Sequence, residues 1–349
     1  MQKSFPRTPF QKLSKQFLVK VFGVGCGEGL FEESTSSHVK VFLMDLCNQS
    51  TVRRILEENG LAPKKAFGQN FLINPMIPEN IAEASAYEPF YYEENYSEDA
   101  CALEIGPGIG ALTRELAARY PSVTAVEIDR GLIPVLAQTL EDCPNTRVIN
   151  EDFMKTDVKS LLSESFGDAP VHVCGNLPYY ITTPILMKLL EAYPADGRSP
   201  VRRITLMVQS EVADRICAQA GSSAYGAITA AVALRGRAKK LFTVSAGNFY
   251  PVPKVSSAVL TIETHPHGLY DLYPDAPTGD GFAPFFERVT AMIEAAFGQR
   301  RKTLTNALGG LYDKSAVEAA LTSLGIRTDI RGEKLSALDF CRLSAALMK

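Results

Sequence analysis

No stretch of the 349-residue chain approaches the roughly 20 consecutive apolar residues that a membrane span needs, which excludes an integral membrane protein. Cysteine is sparse and scattered: seven residues, at positions 26, 47, 101, 143, 174, 217 and 341, contain no CxxC pair. Four histidines without HExxH spacing leave little to build a metal site from, so no metal is expected and a zinc enzyme is excluded. An odd number of isolated cysteines also excludes a disulfide scaffold and suits a reducing cytosol, where thiols act as small buried apolar groups. What is present is ordinary for a soluble protein, 46% hydrophobic and 21% charged residues. At about 100–200 residues per domain, the length predicts two domains.

A large excess of either charge is likewise missing, the net charge being −3, yet charge is unevenly spread. Residues 44–197 carry 11 basic and 23 acidic side chains, whereas 198–265 carry nine basic and three acidic ones. Three basic clusters stand out: Arg198, Arg202 and Arg203; Arg235, Arg237, Lys239 and Lys240; Arg300, Arg301 and Lys302. Any one of them reads as solvated surface charge. Three in one half of an otherwise acidic chain point toward a phosphate backbone, and local field matters more there than the total.

Residues 1–43 form an extension unlike the rest, with an apolar run from Phe17 to Val24 broken by Lys20. No A-x-A-like site follows it, so it is a poor secretory signal, and Met44 is a candidate true start. Short helices are expected from Ser50 and near 77–86, on either side of a basic, glycine-containing segment, and an acidic, tyrosine-rich loop spans 88–99. Beyond it, β-rich runs at 101–105, 123–128, 146–150, 171–174 and 203–208 alternate with helical patterns. Such alternation predicts an α/β fold with a parallel sheet covered on both faces. Two last β-rich runs, 240–245 and 255–262, suggest a closing hairpin with an antiparallel member. The segment 265–283, rich in Pro, Gly and Asp, reads as a linker to a small α-helical domain. The expected organisation is therefore an extension (1–43), a catalytic domain (44–264), and a linker with helical domain (265–349).

Gly106, Gly108 and Gly110 lie where the first strong strand meets its helix, allowing close approach of a ligand to backbone. Glu127 ends the next strand, where an acceptor-only carboxylate suits the two hydroxyls of a ribose. Gly106, Gly108 and Ala111 also satisfy the dinucleotide fingerprint, so a nicotinamide cofactor stays in play at this point. Asp152, just past the third strand, could accept from an adenine amino group. A pocket carrying Glu104, Glu127 and Asp152 would repel pyrophosphate and favour a cationic sulfonium cofactor such as S-adenosylmethionine.

The most specific signal is Gly175-Asn176-Leu177-Pro178-Tyr179-Tyr180, at the end of the fourth strand, where ligands of open α/β sheets bind. Its chemistry fits an exocyclic amine. The Asn176 side-chain oxygen and a backbone carbonyl near Leu177 or Pro178 could hold both N–H groups of adenine N6 out of the ring plane and free its lone pair. Proline fixes the direction of that carbonyl, and Tyr179 offers a face for base stacking, worth ~1–3 kcal/mol. A target base must be unpaired or flipped to enter.

With these motifs the sequence resembles the ribosomal RNA adenine N6-dimethyltransferases, in particular their small-subunit branch. The likeness runs from about Lys65 to the C-terminus through Phe67-Gly68-Gln69-Asn70-Phe71-Leu72, Glu104-Ile105-Gly106-Pro107-Gly108, Asn176-Leu177-Pro178-Tyr179, Phe249-Tyr250-Pro251-Val252-Pro253-Lys254-Val255-Ser256-Ser257 and Phe297-Gly298-Gln299-Arg300-Arg301-Lys302-Thr303-Leu304. The resemblance implies a Rossmann-like, class I S-adenosylmethionine-dependent methyltransferase sheet with a small C-terminal helical domain. It also implies cofactor contacts at Asn70, Leu72, Gly106, Gly108, Glu127, Asp152 and Asn176, and a catalytic set of Asn176, Leu177, Pro178, Tyr179 and Phe249. Phe249 would supply the second face of an aromatic clamp, and Arg235, Arg237, Lys239, Lys240, Arg300, Arg301 and Lys302 would meet RNA.

The implied substrate is a pair of adjacent adenosines in the 3′-terminal hairpin loop of small-subunit (16S) rRNA, each dimethylated at N6 in an assembling subunit. A cytoplasmic, monomeric enzyme is expected. Two rivals stand beside it: a large-subunit rRNA dimethyltransferase of the macrolide-resistance type, and an assembly factor that mainly binds the particle.

Overall fold

The computed structural model describes residues 45–348, apart from 65–66, 88–90 and 198. The extension 1–43 and the candidate start Met44 lie outside the described residues. Asn48 caps α1 (Gln49–Glu58) by accepting from the Ser50 amide, and Val52, Ile55 and Leu56 are the helix's buried stripe. A two-residue strand, β1 (Phe71–Leu72), precedes α2 (Met76–Tyr87). Strands and helices then alternate: β2 (Cys101–Ile105), α3 (Ala111–Ala117), β3 (Val123–Glu127), α4 (Ile133–Thr139), β4 (Thr146–Asn150), α5 (Val158–Phe166), β5 (Val171–Asn176), α6 (Thr182–Glu191) and β6 (Val201–Gln209). Next come α7 (Ser210–Ile216), α8 (Ala227–Ala233), β7 (Gly236–Val244), β8 (Phe249–Tyr250) and β9 (Ser257–Thr264). The chain ends in α9 (Phe282–Gly298), α10 (Leu304–Ala307), α11 (Lys314–Ser323) and α12 (Ala337–Ala346).

Seven strands form one sheet in the order β4-β3-β2-β5-β6-β9-β7. The first five are parallel, and β9 runs antiparallel between β6 and β7. Strand order reverses between β2 and β5, so their carboxyl ends diverge and open a crevice there. Alternate residues of β2 face opposite cores: Leu103 and Ile105 pack with α5 and α6, Ala102 with α2 and α3. A sheet covered on both faces explains why its strands read as continuous apolar runs. The last two runs pair antiparallel as expected, with β9 slotted between β6 and β7 and β7 left at the edge.

The one ribbon that the sequence pattern did not suggest pairs β1 with β8, Phe71 opposite Tyr250 and Leu72 opposite Phe249. Two residues are too few to show a period. In the helical region α10 is short: Thr303 caps its start and Lys302 closes a turn onto the Gln299 carbonyl just before it. The segment 265–283 is packed: Leu269 is buried and its amide donates to the Ala195 carbonyl. The core of α9–α12 is continuous with Tyr225, Ala230 and Leu234 around α8.

Of the basic clusters, Arg203 does not lie on the surface. It is buried and donates to the Ala84 and Ser85 carbonyls at the end of α2. Arg198 lies outside the described residues. Among the described residues, no helix is long and apolar enough to cross a membrane and no group of three or more His, Cys, Asp or Glu could hold a metal ion.

Candidate active site

The crevice at the switch between β2 and β5 opens into a cleft. Its lining includes Asn70 and Leu72 from the strap before α2, Glu104, Gly106 and Gly108 from the β2 turn, Glu127 from the end of β3, and Asn176 and Pro178 from the end of β5. Gly175 brings β5 against β2: a Cβ there would meet the Ile105 carbonyl oxygen at 2.7 Å. Gly108 has φ +63°, a conformation open to glycine at little cost, and its amide donates to Glu127 Oε2 at 3.1 Å. The other Glu127 oxygen accepts from the Asp129 amide at 2.8 Å.

Glu127 is thus buried but held, with one backbone donor per carboxylate oxygen and lone pairs to spare. Burial raises its pKa, and the Asp129 and Gly108 amides partly offset that. Glu104 is 1% exposed, and burial pushes its pKa up to about 8, with the Thr113 hydroxyl pulling down and the Glu127 charge adding to the rise. An isolated buried carboxylate is costly, so two beside one cleft mark it as a place for a partner that carries positive charge and hydroxyls.

The strap is tied down from below. Asp129 accepts from Lys64 Nζ at 2.6 Å and from Gln69 Nε2 at 2.9 Å, while Gln69 Oε1 accepts from the Lys64 amide at 2.8 Å. Burial would raise the Asp129 pKa, but the Lys64 and Gln69 donors hold it below the ordinary value. Asn70 follows directly, and its carbonyl accepts from Asn176 Nδ2 at 3.1 Å. With its nitrogen so engaged, Asn176 keeps Oδ1 as its acceptor. The Pro178 carbonyl is already used by the Ile181 amide and the Thr182 hydroxyl, at 3.1 and 3.2 Å. Of the two carbonyls considered from sequence, Leu177 is the one with no such local donor among the described residues.

The remaining sequence candidates fall in several places. The Leu177 side chain is core, its amide donating to the Met207 carbonyl. Tyr179 is half-buried, its hydroxyl 2.9 Å from Ser257 Oγ. Phe249 is 1% exposed and packs with Leu72, Cys174 and Met207, so its ring has no open face here. Asp152 follows β4, outside the cleft lining, with Oδ1 accepting from the Met154 amide.

Arg235 just precedes β7 and Arg237 lies at its start, at the opposite end of the strands from Asn176; Arg235 lies over the Phe286 ring and Arg237 over Tyr91. Lys239 is exposed farther along that strand, and Lys240 pairs with Asp214. Arg300 donates to the Tyr225 carbonyl, and Arg301 and Lys302 are exposed. Sequence reasoning gave no role to Asp129 or Ser257; the available signals were the nearness of Asp129 to Glu127 and the place of Ser257 at the end of the Phe249–Ser257 motif.

A family model described as ribosomal RNA adenine dimethylase matches residues 60–349. The chain belongs to that family. It is a methyltransferase, and the sheet just described is the class I S-adenosylmethionine-dependent methyltransferase fold. Similar members include the ribosomal RNA small subunit methyltransferase A of Shouchella clausii, 41% identical over 308 residues that cover 87% of this chain and 96% of the relative. That of Geobacillus kaustophilus is 40% identical, covering 87% and 97%. Among solved structures, the 23S rRNA methyltransferase ErmE superposes with a TM-score of 0.60 at 27% identity, covering 80% of this chain and 100% of its own. A dimethyladenosine transferase from Plasmodium falciparum shares the fold with a TM-score of 0.60 at 23% identity, covering 78% and 95%.

Proposed function

We propose that this dimethylase transfers methyl groups from S-adenosylmethionine to N6 of two adjacent adenosines in the 3′-terminal hairpin loop of small-subunit rRNA, forming N6,N6-dimethyladenosine during subunit assembly. The small-subunit assignment rests on the names of relatives that align over nearly their whole length. The reaction rests on one observation above the others, the Asn176 Nδ2 bond to the Asn70 carbonyl, which presents Oδ1 as an acceptor at the strand end.

The cleft's donor and acceptor set fits the cofactor. Glu127 has acceptor capacity for ribose hydroxyls, Gly106 and Gly108 let backbone approach closely, and Glu104 and Glu127 favour a cation. Asn70, Leu72 and Asn176 would complete the contacts, with Asp152 reaching the adenine end. When bound, S-adenosylmethionine supplies an electrophilic methyl group on a sulfonium.

The rest is the work of this chain. Asn176 Oδ1 and the Leu177 carbonyl accept the two N6 hydrogens of a flipped adenine and hold its lone pair out of the ring. Tyr179 stacks on the base. No strong general base is required, since the amine sheds its proton after alkylation, and positioning can supply ~7–11 kcal/mol. Arg301 and Lys302 meet phosphates near the mouth of the helical region. The enzyme works in the cytoplasm, as a monomer on the assembling particle.

Labelled-methyl transfer to small subunits lacking the modification tests this reading. About four methyls per particle as dimethyladenosine, lost on Asn176→Ala, is the expected result for a base held in this way. Label entering only large-subunit RNA would move the chain to the branch that ErmE represents, and cofactor binding without transfer would leave an assembly-binding role.

A further inference from the structure

Ser257 is buried at the start of β9, in register with Gln209 of β6 on one side and Val244 of β7 on the other. A side chain held by three strands is among the most rigid positions a site can use. Its hydroxyl lies 2.9 Å from the Tyr179 hydroxyl, across the sheet from the end of β5 that carries Asn176. Tyr179 is half-buried, so its ring has both a fixed rim and an open face. No other hydrogen bond reaches the Tyr179 hydroxyl among the described residues.

We infer that Ser257 is a positioning residue for the target base: it pins the phenol end of Tyr179 and thereby sets where the ring against which adenine stacks is held. The inference rests on the reading of Tyr179 as the stacking face. A tyrosine ring turns about two side-chain torsions; its hydroxyl oxygen lies on the axis of the second, so fixing that oxygen holds the first and keeps the ring in one place. Stacking depends on where the ring sits, so a side chain free to swing holds the base less often in the orientation in which Asn176 Oδ1 accepts from N6. Ser257 touches neither base nor cofactor and acts only through Tyr179. The same contact explains the hydroxyl on Tyr179, since a phenylalanine would stack equally well.

The test is steady-state methyl transfer to unmodified small subunits by the full-length protein and five variants, with cofactor affinity measured by calorimetry in parallel. Ser257→Ala and Tyr179→Phe each break one hydrogen bond and should lower kcat/KM for the particle about five- to tenfold, with cofactor affinity unchanged. The double variant should be no worse than either single one, because both remove the same bond. Ser257→Thr, which keeps the hydroxyl, should restore most of the activity.

Full activity in Tyr179→Phe, or losses that add in the double variant, would overturn the inference. Tyr179→Phe leaves β9 untouched, so a folding defect in Ser257→Ala cannot hide the result. Tyr179→Ala separates the two levels: activity retained there sinks the stacking reading itself, while activity lost there but kept in Tyr179→Phe sinks only the role of Ser257.

Discussion

Asn176 and Asn70 meet through one hydrogen bond, Nδ2 to backbone oxygen at 3.1 Å, that joins the end of β5 to the strap over the cleft. The bond decides which way the amide points. An aspartate at 176 has no hydrogen to donate, so its carboxylate would face the Asn70 carbonyl and turn away. Asn176→Asp and Asn176→Ala should therefore each lower kcat about 10²- to 10³-fold, the scale for losing a preorganised polar partner of the reacting group. Single-turnover transfer checks this; a loss under tenfold in both would remove Asn176 from the chemistry.

Glu127 should act on binding and not on the chemical step. Both oxygens already accept backbone amides, so the carboxylate is fixed before any ligand arrives. Glu127→Ala removes a charged acceptor worth about 1.5–3 kcal/mol. Cofactor affinity by calorimetry should fall roughly 10- to 100-fold, with kcat at saturating cofactor changed little.

Glu104 predicts a pH dependence with a definite sign. Its folded pKa of about 8 stands above the ordinary carboxylate value of 4.5, so the native state keeps a proton that the unfolded chain releases between those limits. Stability from this group is present at low pH and is lost as pH rises from about 4.5 to about 8. The melting temperature of Glu104→Gln without cofactor should therefore rise relative to wild type between pH 6 and 8.5. Cofactor affinity should rise over the same interval in wild type, since the ionised carboxyl favours a cation, and stay flat in the variant.

The succession of strands and helices along the chain and the location of the cleft were legible because they depend on periodicity and on glycine and proline at strand ends. β2 and β4 were readable to the residue, and Asn176 and Glu127 stand where strand-end logic places them. What was not legible depends on contacts between distant segments. Phe249 reads as a clamp face in sequence, yet is buried as a member of the β1–β8 ribbon. Arg203 reads as surface charge, yet fills a buried position where its guanidinium meets the end of α2. Neither a two-residue ribbon nor a buried arginine leaves a periodic trace.

Asp129 gathers the strap through Lys64 and Gln69, and the strap carries the Asn70 carbonyl on which Asn176 depends. Asp129→Ala should speed cofactor dissociation and also lower kcat, because both ends of the strap are loosened. Gln69→Ala, which spares the Lys64 ion pair, should show the same pattern more weakly. Stopped-flow release of the cofactor is the measurement. Release unchanged in Asp129→Ala would mean that the strap is held by packing of Phe71 and Leu72 alone.

The basic residues should separate by what already holds them. Arg235 and Arg237 lie on aromatic rings far from Asn176, and Arg300 is engaged by the Tyr225 carbonyl. Arg301 and Lys302 are exposed beside it. Each phosphate contact contributes about 0.7–0.9 to the slope of log affinity against log salt. Arg301→Gln with Lys302→Gln should therefore reduce that slope for small-subunit RNA by about 1.5, with no change in melting temperature. Arg235→Gln should do the reverse: it should leave the slope alone and lower the melting temperature, since it strips a guanidinium from the Phe286 ring in the helical core. An unchanged slope in the double variant would place the RNA path on another face.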